Sequence, residues 1–483
     1  MNRESTKKNI AYQMIYELLI ILLPIITSPY IARVVGPEGL GTYSYYYSIA
    51  YYFYLFALLG IKNYGNRTIA IARDDRQRLN CSFSGILFLH ILLATICIAV
   101  YLVYIAFFAN EKIYATIMIL LVLSALLDIS WFYFGIERFK ITVSVNSFLK
   151  ILSTVLIFIL INDSSDLWIY CLIIAGSSLL SQLLLWIPLN KYVSIVKVNR
   201  QEIFCHFKPF VILFIPAIAV SLYKYMDKIM IGTLSTKTQL GFYENSEKII
   251  NIPLTMIGSF GTVMLPKMSN LFNRNTQDSL KTMEISMKYI LGLGLGLAAG
   301  LAGISIVFAP VFWGDKFSGC ATLITGLALT LPFNTFANVI RTQYLIPKMK
   351  DKEYTITVFT GAIINLIINY LLIKKYEAIG AVIATIIAEV FVCTFQVSFV
   401  RRELPITTYL KNSIPFVIIA SCMFLIVRLI GSILGTSTFT LIVQIVAGGF
   451  FYLLACSLYL WRCNDPIFAD AIHRLHNLKG KMR

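Results

Sequence analysis

Three ionisable side chains stand close together in the otherwise apolar run Pro216–Gly232: Lys224, Asp227 and Lys228. Each would cost about 2.5–3.5 kcal/mol at the centre of a bilayer. On an α-helix the three fall within an arc of about 100°, so one face can turn them all away from lipid. The next apolar run adds Glu244, Glu247 and Lys248 in GFYENSEKII. Two chemistries fit this set. The first is structural, with internal ion pairs that hold helices together. The second is a translocation path whose surplus of lysine suits an anionic cargo. Arg33 lies near the end of the first apolar run. Glu17 in the same first run is a lone intramembrane carboxylate, either a neutral packing residue or, with Glu244 and Glu247, a candidate for coupling to an ion, H+ or Na+. Glu389 is a second lone carboxylate with no assigned role, and Arg428 has no evident partner in sequence.

Other chemistries find little support. The nine cysteines are scattered without a CxxC pair, which argues against a disulfide framework or a metal site. His473 and His476 share one face of the C-terminal tail and read as a solvated face. No cofactor is expected. A membrane-embedded polymerase or glycosyltransferase would need acids or bases gathered on loops, and every outside loop is short. Asp74-Asp75 is an isolated pair on a basic loop.

The elements that must position the charged residues are membrane helices. The chain is 58% hydrophobic and 13% charged, with mean hydropathy +0.76. That composition belongs to a polytopic membrane protein. Windows of about 20 residues give about fourteen spans, from 12–34 and 43–61 through 211–232 and 240–265 to 412–431 and 438–461. The apolar run near the N-terminus carries no small-residue cleavage site and reads as an uncleaved first span. With the N-terminus placed in the cytoplasm, about 30 lysines and arginines fall inside and 5 outside, a strong positive-inside bias. Both termini are then cytoplasmic. The net charge of +17 is assigned to loops facing anionic membrane lipid rather than to nucleic acid. The inside segment Lys62–Asn80 is expected to contain an amphipathic stretch at the membrane surface, as is the tail through Phe468, Ala471, Ile472 and Leu475.

An internal repeat organises the spans. Leu40-Gly41-Thr42-Tyr43 opens the second span and Leu240-Gly241-Phe242-Tyr243 the eighth. An even number of spans separates them, which predicts two parallel six-helix lobes. The expected division is an N-terminal lobe at 1–195, a C-terminal lobe at 205–403, and a final helix pair with a basic tail at 404–483. Glycines 292, 294, 296, 300 and 303 predict close packing or bending of the ninth span. Asn365 and Asn369, one helical turn apart, read as helix–helix glue. The tyrosines from Tyr43 to Tyr54 suit either an interfacial belt or the faces and hydroxyls of sugars.

Several segments resemble a known family. They are Val34-Val35-Gly36-Pro37-Glu38-Gly39-Leu40-Gly41, Trp131-Phe132-Tyr133-Phe134-Gly135-Ile136-Glu137, Asp227-Lys228-Ile229-Met230-Ile231-Gly232 with Leu240-Gly241-Phe242-Tyr243, and Leu345-Ile346-Pro347 followed by Gly361 to Asn369. In order and content they resemble the Wzx-type flippases for O-antigen or capsule repeat units, in the polysaccharide-transport branch of the multidrug/oligosaccharidyl-lipid/polysaccharide exporter superfamily. The resemblance implies an all-α fold of the MATE type and no enzymatic activity. It implies translocation of undecaprenyl-pyrophosphate-linked oligosaccharide across the cytoplasmic membrane by alternating access, as a monomer. A polysaccharide polymerase and a chain-length regulator are the protein partners it suggests. On that resemblance Arg33, Lys224, Lys228 and Lys248 would offset diphosphate charge, with Asp227 and Tyr223 on the same path. The alternatives are a same-fold exporter of a drug or of lipid II.

Overall fold

A computed structural model describes residues 6–465, 468 and 469, with side chains described except at 6–11, 15, 21, 216, 217, 219, 220 and 223. The amphipathic tail, including His473 and His476, therefore lies outside the described residues. The described chain is helical and divides by contact into two compact units, Met1–Glu244 and Asn245–Arg483. This division assigns Phe207–Leu234 and the start of the following helix to the first unit. The three-part lobe scheme expected from the repeat stays a proposal.

The first unit contains α1 (Thr6–Leu58), α2 (Ile61–Ala72), α3 (Arg76–Phe107), α4 (Lys112–Leu126), α5 (Ser130–Gly135), α6 (Phe139–Leu160), α7 (Leu167–Trp186), α8 (Arg200–Phe204), α9 (Phe207–Ser221), α10 (Asp227–Leu234) and the start of α11 (Lys237–Arg274). Length and apolar composition make α1 long enough for two crossings, and it breaks where the sequence turns: Gly36 has φ 78° and ψ 175°. A side chain is strained at that φ, while Pro37 supplies a fixed φ to restart the helix. Asp75 caps α3 by accepting from the backbone N–H groups of Gln77 and Arg78. α2 is amphipathic, but its apolar stripe, Ile61, Gly65, Ile69 and Ala72, packs on protein, and its expected place at the membrane surface stays a proposal.

The segment Trp131–Glu137, one of those that carried the family resemblance, is structural. Trp131 is fully buried, stacks on Phe83 at 5.5 Å between ring centres and donates its indole N–H to the Asp128 carbonyl at 2.9 Å. A β-carbon on Gly65 would lie 2.5 Å from the Trp131 ring, and one on Gly135 2.6 Å from Ile69. Glu137 pairs with Arg73 at 2.7 Å. The motif thus locks α2 onto α5. Trp131→Ala is expected to cost about 3–5 kcal/mol and to lower membrane abundance several-fold, read by immunoblot. Unchanged abundance would show that α2 is held by other contacts.

The second unit contains most of α11, then α12 (Thr276–Trp313), α13 (Cys320–Ala328), α14 (Thr330–Ile340), α15 (Asp351–Val400), α16 (Ile406–Leu434) and α17 (Thr438–Arg462). Its centre is α12. The glycines expected to allow close packing do so: β-carbons at Gly296 and Gly303 would meet Tyr452 and Val427 at 2.5 and 2.9 Å, so α17 and α16 seat on that stripe. Asn369 donates to Asn365 at 3.0 Å and both are buried. Arg428 gains the partners that sequence did not reveal, donating to Ser305 at 3.2 Å and Thr325 at 3.0 Å. Beyond the spans, hydrogen bonds from Lys350 and Tyr344 hold the Glu403 carboxyl below its usual range. Asp465 accepts from Lys288 and Tyr289, each at 2.6 Å, and so ties the end of α17 to α12.

Among the described residues eleven helical stretches are long and apolar enough to cross a membrane. Two of them are broken by a non-helical residue, Gly36 in α1 and Glu377 in α15. The segment 207–234, divided by a π-helical turn at Leu222–Met226, is not among the eleven. The expected count of fourteen thus depends on reading each broken stretch as two crossings and the divided one as one. Only 17% of the apolar windows of α16 and α17 is buried, which leaves most of their apolar surface for lipid to cover. The chain is a multi-pass membrane protein.

Candidate functional site

The charged cluster is built around the π-helical turn at Leu222–Met226. Such a turn inserts a residue relative to an α-helix and changes which side chains share a face. The residues of the arc drawn for an unbroken helix differ in burial. Lys224, inside the turn, is exposed, whereas Asp227 and Lys228, just after it, are 3% and 8% exposed. The Tyr223 side chain lies outside the described residues.

Each buried charge has a specific partner within the first unit. Lys228 Nζ lies 2.7 Å from Glu244 Oε2. That same oxygen accepts from the Ser44 hydroxyl at 2.7 Å. Asp227 Oδ2 accepts from the Tyr243 hydroxyl at 2.8 Å. Tyr225 stacks on Tyr51 with ring centres 4.0 Å apart, and the Lys228 and Lys224 nitrogens sit 5.5 and 6.0 Å from its ring centre. A buried pair of this kind needs its remaining polar atoms satisfied, and Ser44 helps to satisfy Glu244. Ser44 and Tyr243 were not singled out from sequence as site residues. Both lie in or beside the repeat tyrosines, and that position was the available signal.

The remaining candidates are more dispersed. Arg33 is exposed on α1, three residues before the Gly36 break. Glu17 is exposed and accepts from Gln13 at 3.2 Å. Glu247 and Lys248 are half-buried on α11 past the unit boundary, and both are engaged in interactions. Glu389, in the second unit, lies 3.4–3.5 Å from the Asn334 amide.

The two copies of the repeat meet at their glycines. A β-carbon on Gly41 would lie 1.7 Å from the Lys237 carbonyl oxygen, and one on Gly241 1.9 Å from the Pro37 carbonyl oxygen. Backbone therefore touches backbone, as small residues permit. Lys237 donates to the Gly232 carbonyl at 2.9 Å and lies over the Tyr45 ring at 3.1 Å from its centre, closing the same corner.

A second polar centre, absent from the sequence reading, lies deeper in the first unit. Asp128, 1% exposed, accepts from the Ser130 backbone N–H and hydroxyl at 2.9 and 2.6 Å and from Tyr54 at 3.3 Å. Lys62 lies 3.6 Å from Asp128 and donates to the Tyr54 hydroxyl at 2.9 Å. A single aspartate in an apolar run was a usable signal. It was missed because Lys62, its counter-charge, stands 66 positions away at the head of a basic loop.

Known proteins share this architecture. The family model described as "Polysaccharide biosynthesis protein" matches residues 6–272, more than half of the chain. A protein of Shigella dysenteriae named "Putative O-antigen transporter" is 26% identical over 406 residues, covering 82% of this chain and all of that protein. Among solved structures, the Lipid II flippase MurJ in an inward closed conformation superposes with a TM-score of 0.72 at 16% identity, over 95% of this chain and 100% of that one. An inward-facing multidrug resistance MATE family transporter of the MOP superfamily gives 0.59 at 14% identity, over 82% and 96%. Identities this low establish the fold, which is the MATE-like all-α architecture expected from sequence. With the family match covering the first unit and its site, the chain belongs to the polysaccharide biosynthesis protein family.

Proposed function

We propose that the protein is a flippase that moves undecaprenyl-pyrophosphate-linked oligosaccharide repeat units from the inner to the outer leaflet of the cytoplasmic membrane, for assembly of surface polysaccharide. The relatives by name are transporters, and no enzymatic step is needed. A diphosphate and sugars cannot cross hydrocarbon unaided, whereas the polyprenyl tail can stay in lipid. The protein need only supply a polar, cationic route.

The observation that carries this reading is the buried pair Lys228–Glu244, held at 2.7 Å beside exposed Lys224. Lys224 meets the diphosphate first. The diphosphate then competes with Glu244 for Lys228, and Ser44 retains the carboxylate that is released. Charge-assisted hydrogen bonds to phosphate are strong, so an internal carboxylate rival keeps the cargo from binding irreversibly. Asp227, fixed by Tyr243, keeps the α10 end in register. Arg33 and Lys248 extend the cationic route. Glu17, Glu244 and Glu247 are the groups through which H+ or Na+ would couple. The excess of basic loop residues supports cytoplasmic termini, and the repeat supports lobes at 1–195 and 205–403 with a final pair and tail at 404–483. A polymerase and a chain-length regulator would receive the product.

Deleting the gene and extracting polyprenyl-linked material tests the reading. Accumulation of one complete repeat unit on the cytoplasmic face is expected. Accumulation of lipid II instead would transfer the same mechanism to the other cargo, and no accumulation of either would reject it.

A further inference from the structure

The first unit carries a half-open cavity of about 500 Å³, lined by neither Lys228 nor Glu244. Its walls mix three kinds of chemistry. Tyr47, Tyr51 and Tyr54 line it from α1, and their rings follow one another at 6.1 and 5.6 Å in stacked orientation. Amides enter from three other helices: Asn63 and Asn66 on α2, Asn146 on α6 and Gln182 on α7. Lys62 and Lys150 supply positive charge against the Asp128 carboxylate. Lys150 is exposed, and 53% of the Lys62 side chain is accessible.

Lys62 is positioned rather than free to wander. An ammonium has three N–H donors. One goes to Tyr54 and another faces Asp128, which Ser130 in turn fixes. A donor is left for a ligand at a defined place. Gln182 Oε1 is buried and has no hydrogen-bond partner among the described residues, an acceptor that suits a ligand hydroxyl. Ring faces, amides and positioned donors together match the two sides of a pyranose, one apolar with C–H groups and one rich in hydroxyls. The volume lies within the range of small-molecule sites, enough for part of an oligosaccharide and not for a long one.

We infer that this cavity is a saccharide subsite, which holds sugar of the cargo while the diphosphate engages the lysines of α10 and its preceding turn. The inference rests on the flippase reading. Recognition of cargo then has two parts, a diphosphate contribution common to all polyprenyl-linked sugars and a sugar contribution made in the first unit.

Titration of the full chain in detergent, followed by intrinsic fluorescence, separates the parts. The probes are bare undecaprenyl diphosphate and the lipid-linked repeat unit extracted from cells lacking the gene. The unaltered protein is expected to bind the glycosylated lipid more tightly than the bare one. Asn66→Ala with Gln182→Ala is expected to reduce that advantage about tenfold, the scale of one or two lost hydrogen bonds, with bare-lipid affinity unchanged. Lys150→Gln, at an exposed position, is expected to reduce it in the same direction. Two results would overturn the inference: an advantage retained in both variants, as for a merely water-filled cavity, or equal binding of the two lipids by the unaltered protein. Binding of neither lipid would instead reject the flippase reading, and the subsite with it.

Discussion

Replacing Gly41 or Gly241 by alanine is expected to abolish most transport while leaving the protein in the membrane. The new β-carbon at Gly41 would lie 1.7 Å from the Lys237 carbonyl oxygen, and that at Gly241 1.9 Å from the Pro37 carbonyl oxygen. Neither obstacle is a side chain, so no rotamer change can relieve it. The second half of α1 and the start of α11 must move apart by about 1.5 Å to reach van der Waals distance. Overpacking of this kind costs about 1–3 kcal/mol or more. The cost falls only on conformations in which the two segments touch. For an alternating-access carrier it therefore acts as a population shift, and about 3 kcal/mol changes the ratio of two states more than a hundredfold. Surface polysaccharide is expected to fall below about a tenth of normal at near-normal abundance. In a background with the nine cysteines replaced, Thr42→Cys, at a position 5% exposed, is expected to become more accessible to a membrane-impermeant maleimide when Gly41→Ala is added. Normal polysaccharide from both alanine variants would show that this contact takes no part in the cycle.

That contact also marks what could be read from the sequence. The two Leu-Gly-x-Tyr copies identified a repeat and an orientation, because both signals are local. Nothing local says that their glycines touch the facing backbone, since the contact joins residues about 200 positions apart. The spans were legible for a similar reason: about 20 apolar residues suffice to mark one. The π-helical turn at Leu222–Met226 was not, because it depends on how neighbouring helices satisfy the displaced backbone groups. Within it Lys224 is exposed, while Asp227 and Lys228 just after it are buried, although both lysines stay within 6.0 Å of the Tyr225 ring centre. The run from Trp131 to Gly135 was legible as a family signature but not as the packing lock that its buried ring forms. The Asp128 cluster escaped because its counter-charge was counted with a basic loop, where composition alone would place Lys62.

The burial difference between the two lysines predicts different outcomes for their neutral variants. Lys228 is 8% exposed and Glu244 7%, so Lys228→Gln removes the cation 2.7 Å from a buried carboxylate. Breaking such a pair from one side costs about 3–5 kcal/mol, and membrane abundance is expected to fall several-fold. Glu244→Gln is expected to do the same from the other side. The double variant Lys228→Gln with Glu244→Gln removes both charges and leaves two amides that can bond to each other. Its abundance is expected to recover while transport stays lost, because no cation is left for diphosphate to take from Glu244. Lys224 is exposed, and Lys224→Gln is expected to change stability by no more than about 0.5 kcal/mol. Its effect should appear as lipid-linked repeat unit accumulating inside at normal abundance. Arginine at 224 retains the charge with a different geometry and is expected to restore transport in part. Each variant is read twice, by immunoblot of membranes and by surface polysaccharide. The informative case is the double glutamine variant. Normal polysaccharide at normal abundance would reduce the Lys228–Glu244 pair to a helix clamp and remove Lys228 from the cargo path.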